Sequence, residues 1–143
     1  MKRFTSILIA AFALFAIPLS ADAGGKVIPF SKLPAEAQNF IKTHFSSVKV
    51  LQATSDWSEY EVILEGNAKL EFDRSGNWKE INCRGGSVPE SAVPARIQAY
   101  VKDHFSPDKV RTIERHVRGY EVKVTSGIEL KFDKNCNFVR LDD

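Results

Sequence analysis

The sequence is poor in the residues that most often carry chemistry. In 143 residues it holds two cysteines, three histidines and one methionine. Two cysteines exclude a disulfide-dense miniprotein. The histidines lack H-x-x-x-H or H-x-H spacing, so no zinc signature is present. Eight glycines and six prolines are too few for a collagen-like or Pro-rich chain. No C-x-x-C pair, Gly-rich phosphate loop or G-x-S-x-G elbow occurs. Charge of one sign is missing too. Twenty Lys/Arg stand against 18 Asp/Glu, a formal +2, which leaves no broad field of the kind that draws nucleic acid. What remains, 43% hydrophobic and 27% charged residues, is the composition of an ordinary folded domain.

The one long apolar run is at the start. Lys2 and Arg3 precede Phe4 to Ile17, then Pro18, and the stretch ends in Ser20-Ala21-Asp22-Ala23. A basic head, a short apolar core and a small-x-small ending make a signal peptide, expected to be cut after Ala23. The run is too short for a comfortable membrane span, and no cysteine follows it to accept a lipid. Cleavage removes two bases and one acid, leaving Gly24 to Asp143 with 18 − 17 = +1. A nearly neutral protein exported to a bacterial periplasm or beyond is expected, with no stable membrane span after cleavage.

Shifted by 60 residues, the sequence falls on itself without a gap. Identities include Pro34/Pro94, His44/His104, Phe45/Phe105, Tyr60/Tyr120, Phe72/Phe132 and Asp73/Asp133, and Phe40/Tyr100 and Trp78/Phe138 keep their chemistry. A first unit over 24–83, a linker over 84–93 marked by Gly85-Gly86 and Pro89, and a second unit over 94–143 follow. Each unit opens with a proline in the first helical turn and an apolar stripe, Ala37-Phe40-Ile41-His44 or Ile97-Tyr100-Val101-His104. Alternating segments come next: Val48 to Thr54, Tyr60 to Glu65, Ala68 to Phe72, and a last strand carrying Trp78 and Ile81. They are separated by turns at Gly66-Asn67 and Asp73 to Asn77. The pattern is α-β-β-β-β twice, an α+β fold in which each helix covers one face of a four-stranded antiparallel sheet.

The stretch L-P-x-x-A-x-x-F-I-x-x-H-F at Leu33 to Phe45 has a second copy, V-P-x-x-I-x-x-Y-V-x-x-H-F, at Val93 to Phe105. With the Y-E-V-x-L…L-E-F-D-x-x-G-x-W run at Tyr60 to Trp78, it resembles the PepSY-like family of secreted bacterial proteins, whose fold is similar to that of the β-lactamase inhibitory protein. That resemblance implies a tandem pair of helix-on-sheet units without an assigned biochemical role. More distant relatives that restrain proteases or bind peptides imply an inhibitory or peptide-binding role at most. The second unit departs from the pattern by placing Cys136 where Gly76 stands, so its turn needs another backbone geometry or serves a disulfide.

Few side chains invite a functional reading. His44 and His104 suit packing and capping near helix C-termini, not metal. His116 falls at a strand end, on the surface. Asp73 and Asp133 are explained by turn N–H groups. Glu61/Glu121 and Glu71/Lys131 alternate with core residues and should face solvent or pair across strands. No pattern places two carboxylates together in a pocket, so no enzyme, catalytic residue, metal or cofactor is expected. Cys83 and Cys136 allow a bond joining the two units, free thiols, or a bond between molecules. Trp57, in the polar Ser55-Asp56-Trp57-Ser58 connection, is either a recognition anchor or folded back over the sheet edge. Arg115 and Arg118, in a basic cluster with Arg111 and Lys123 broken by Glu114 and Glu121, are the other recognition candidates. The leading expectation is a non-enzymatic module that binds an envelope protein or peptide. A structural or envelope-stress protein and a small-ligand binder are the alternatives. Exposed aromatics across the sheets would favour the first; a charged sheet face would weaken it.

Overall fold

Pro34 and Pro94 start the helices from outside them. In the computed structural model, which describes residues 25–142, both prolines keep an extended backbone, with ψ of 148° and 133°. They therefore sit one position before the expected first turn. Their carbonyls accept the N–H groups of Gln38 and Gln98 at 3.0 Å. Helix α1 runs Ala35–His44 and helix α2 runs Ala95–Phe105. The first ends where Phe45 N–H donates to Ile41 O at 2.8 Å. The leader segment lies outside the described residues.

The strands are β1 (Lys26–Ile28), β2 (Val50–Ser55), β3 (Glu59–Leu64), β4 (Ala68–Asp73), β5 (Trp78–Cys83), β6 (Val110–His116), β7 (Gly119–Val124), β8 (Glu129–Asp133) and β9 (Phe138–Asp142). They form one antiparallel sheet whose spatial order is their chain order. The two units are fused through β5 and β6, where Ile81 faces Ile113 and Asn82 faces Thr112. β1 is an addition to the expected pattern, a lead-in strand that pairs with β2. β2 itself starts two residues later than expected, because Val48 N–H is held by Phe45 O in the turn leaving α1.

Alternation decides which face each residue takes. Val62, Leu64, Leu70, Phe72, Ile81, Ile113 and Leu130 are fully buried under the helices, against Ala37, Ile41, Ile97 and Val101. Burying each large one contributes about 1.5–3 kcal/mol of transfer free energy. Phe40 meets Phe72 edge-on at 5.9 Å, and Tyr100 repeats the contact on Phe132 at 5.6 Å. The connection 84–93 packs too: Val88, Ala92 and Val93 are buried, and Val88 N–H reaches Val110 O at 2.7 Å.

Two sequence expectations about Cys136 change. The turn at 133–137 keeps the geometry of its counterpart: Cys136 adopts φ +66°, in the left-handed region that Gly76 occupies at +95°. Asp133 holds that turn, accepting the N–H groups of Asn135 and Asn137 at 2.9 Å, as Asp73 accepts those of Ser75 and Asn77. Those bonds offset the cost of a side chain there, about 1–2 kcal/mol. The bond joining Cys83 to Cys136 is not formed; both are free thiols. Cys83 ends β5 opposite Ala68, whereas Cys136 follows β8 at the other end of the strands. Three strand spacings of about 4.8 Å separate β5 from β8, beyond the ~7 Å Cα limit for a disulfide.

Candidate binding face

The face of the sheet away from the helices carries an unusual alignment. Glu61 lies opposite Glu71, Glu71 opposite Glu80, Glu80 opposite Glu114, and Glu114 opposite Glu121. Five carboxylates thus stand in one row across β3 to β7. Like charges directly opposite one another destabilise a sheet. The row ends at Lys131, whose Nζ lies 3.0 Å from Glu121 Oε2, and Arg140 lies beyond it on β9. Lys69 serves the other end, 3.7 Å from Glu61 and 3.3 Å from Glu71. Glu80, at the centre, has no ion-pair partner among the described residues. Glu80 itself lines a shallow depression of about 250 Å³, whose other charged lining residues include Glu114, Glu121, Lys123, Glu129 and Lys131.

The crowding shows in proton affinity. Desolvation pushes the Glu80 carboxyl above the usual carboxylate range, and the charges of Glu71 and Glu114 push it further. Desolvation also raises Glu61, where Lys69 opposes the rise and Glu71 adds to it. A cationic group placed on the row would relieve both effects.

The other candidate residues are dispersed. Trp57 is 90% exposed at the tip between β2 and β3, so it does not fold back over the sheet edge. Its repeat partner Val117 is 94% exposed at the tip between β6 and β7. Asp56 shapes the first tip by accepting the N–H groups of Ser58 and Glu59, which hold its carboxyl below the usual range. Arg115 is committed: its guanidinium lies 4.7 Å from the centroid of Trp78 and donates to Trp78 O at 2.6 Å. Arg118 is exposed beside Val117. His44 packs on Phe40 at 4.6 Å, and its Nδ1 lies 2.8 Å from Ser91 Oγ, tying α1 to the connection; burial lowers its pKa. His104 is exposed and stacks on Tyr100 at 4.1 Å, off the buried stripe. Burial pushes the Cys83 thiol up to about 11, which leaves it protonated and unreactive.

Sequence reasoning placed Glu61, Glu71 and Glu121 on the solvent face but missed the row. Glu80 gave no signal alone, and Glu114 registered only as an interruption in a basic cluster. The alignment depends on the pairing of β5 with β6, which joins separate units and has no turn to announce it.

The family described as "Putative beta-lactamase-inhibitor-like, PepSY-like" matches the chain over residues 20–67 and 58–140. The chain belongs to the PepSY-like family. Relatives of known structure extend the likeness over nearly their whole length. A periplasmic protein of Bacteroides thetaiotaomicron, described as "putative calcium-regulated", shares 43% identity with a TM-score of 0.80, covering 85% of this chain and 99% of its own. A protein of Bacteroides vulgatus described as a "putative periplasmic protein" shares 42% identity with a TM-score of 0.77, over 83% and 97%. A second B. vulgatus protein, described in the same words and as of unknown function, shares 35% identity with a TM-score of 0.76, over 83% and 99%. No curated protein sequence matches the chain. Among the described residues no helix is long and apolar enough to cross a membrane.

Proposed function

We propose that this PepSY-like chain is a non-enzymatic binding module of the bacterial periplasm that recognises a basic segment of an envelope protein or peptide on its open sheet face. The observation that carries this reading is the row Glu61-Glu71-Glu80-Glu114-Glu121, whose ends are paired by Lys69 and Lys131 while Glu80 at its centre is not. Charge that works against the fold marks a surface kept for another purpose. A lysine- or arginine-rich strand laid across β3 to β7 would neutralise it. The face is charged instead of aromatic, which counts against the aromatic interface expected from the sequence and leaves complementarity of charge as the basis of recognition, with Trp57 away from the contact. Cutting of the leader after Ala23 belongs to the same proposal, as does the periplasmic address, which the descriptions of three relatives support.

The test uses the chain from Gly24 onward and two unstructured peptides, one lysine-rich and one glutamate-rich, read by fluorescence anisotropy. The lysine-rich peptide should bind, and Glu80→Lys with Glu114→Lys should weaken it at least about tenfold while Trp57→Ala leaves it unchanged. Crosslinks should map to β4 to β7. Equal binding of both peptides, or indifference to the double variant, overturns the reading. One relative is described as calcium-regulated, and carboxylate oxygens are calcium's preferred ligands. Calcium that displaces the peptide would place such regulation on this row.

A further inference from the structure

At the β6–β7 end of the open face, one histidine joins two carboxylates. His116 Nε2 lies 3.5 Å from Glu114 Oε1 and 3.3 Å from Glu121 Oε2, and the three ligand atoms all fall within 4.8 Å of one another. We propose that Glu114, His116 and Glu121 form a binding site for a first-row transition-metal cation of the zinc class.

The geometry argues for it in three ways. The two nitrogen–oxygen separations are longer than the 2.7–2.9 Å usual for a charge-assisted hydrogen bond. They are close to the edge of a tetrahedron around zinc bonded at about 2.0–2.1 Å, roughly 3.3–3.4 Å, and the two carboxylate oxygens, within 4.8 Å of each other, would draw together to the same spacing on binding. All three residues also stand on adjacent paired strands, so their backbones are already in place and only the part-exposed side chains have to settle on binding. Finally, Glu114 and His116 alternate along β6, so both side chains rise on the face that carries Glu121, the partner of Glu114 on β7.

The donor set selects the metal. An imidazole nitrogen with two carboxylate oxygens suits zinc, copper or nickel, whereas calcium and magnesium prefer oxygen alone. Three protein ligands leave the fourth tetrahedral position open for water or a donor from another molecule. Lys131 competes for Glu121, but its Nζ also lies 3.6 Å from Asp142 Oδ2 and can transfer to that carboxylate. Glu114 and Glu121 belong both to the glutamate row and to this site, but zinc binding is read without any peptide and His116 lies outside the row, so failure of the site and failure of the proposed function are distinguishable.

Zinc chloride titrated calorimetrically into the chain from Gly24 onward should bind one ion per chain. His116→Ala, Glu114→Gln and Glu121→Gln should each weaken binding about tenfold or more, with unchanged circular dichroism because all three positions lie at the surface. Imidazole NMR signals should shift for His116 and stay fixed for His44 and His104. Calcium and magnesium should leave the His116 signal in place. Zinc binding of equal strength in His116→Ala, a shift at the other histidines alone, or an equal response to calcium overturns the site.

Discussion

The chemistry of single residues is clearest in the turns. Gly76 lies against the start of α1, and a Cβ there would meet Pro34 Cβ at 2.8 Å and Glu36 Cβ at 2.9 Å, on top of its φ of +95°. Gly86 has open space and an ordinary φ. Gly76→Ala should therefore cost about 1–3 kcal/mol in urea unfolding and Gly86→Ala close to nothing. Asp73 shows how pH acts on the same turns. Its slight burial raises the carboxyl's proton affinity, but N–H donors from Asn77 and Ser75 outweigh that and hold it low. Asp133 is held low by Asn137 first. A depressed folded pKa gives stability that is complete above the unfolded value, about 3.9, and lost as pH falls through the folded one. Asp73→Ala should lower the urea midpoint at neutral pH, by of order 1 kcal/mol after solvent screening. The difference from wild type should vanish below the folded pKa.

At the scale of elements, the strands of the row work the other way. Glu80 and Glu61 are raised, so the folded state disfavours their ionised forms, and the penalty grows as pH rises from the unfolded value through the folded one. Glu80→Gln should consequently raise the melting temperature at pH 7, worth a few tenths to about 1 kcal/mol. Below the ordinary glutamate range, where wild type is itself protonated, the gain should disappear. A loss of stability at pH 7 would mean that Glu80 accepts a structural bond. Helices and strands were legible because periods of 3.6 and 2 act within ten residues, and each unit announced its turns with Gly66, Asn67, Asp73 or Asp133. The lead-in strand β1 escaped because three residues, Lys26 to Ile28, are too few to alternate. The exposure of Trp57 was open because solvent and the sheet edge are both within reach of a hairpin tip.

On the scale of the whole molecule, the β5–β6 pairing decides how the chain unfolds. Ile81 and Ile113 face each other fully buried at that seam, inside a core that runs through both units. Ile113→Ala should cost about 2–5 kcal/mol. Trp57 and Trp78 lie in the first unit, Trp78 against Arg115 and Tyr120 of the second, so their fluorescence reports the first unit and the seam while far-ultraviolet circular dichroism reports both units. The two unfolding curves should coincide in wild type and shift together in Ile113→Ala; separate midpoints would show two independent domains. The duplication itself was the most legible feature of the sequence, whereas sheets set side by side were only one arrangement open to two tandem units. A 60-residue shift reveals that two copies exist, but not that Ile81 of one faces Ile113 of the other across a seam with no turn to set its register.

That seam also says something about growth. β5 offers β6 an ordinary strand edge, and β9 ends the second unit as β5 ends the first. Nothing in such a joint counts to two. A gene that duplicated this segment once more would append a helix and four strands to an edge of the kind already proven to accept them. Copy number would then set the length of the sheet, while the sign of charge along its open face would follow the copy, since Lys131 and Arg140 stand in the second unit where Glu71 and Glu80 stand in the first.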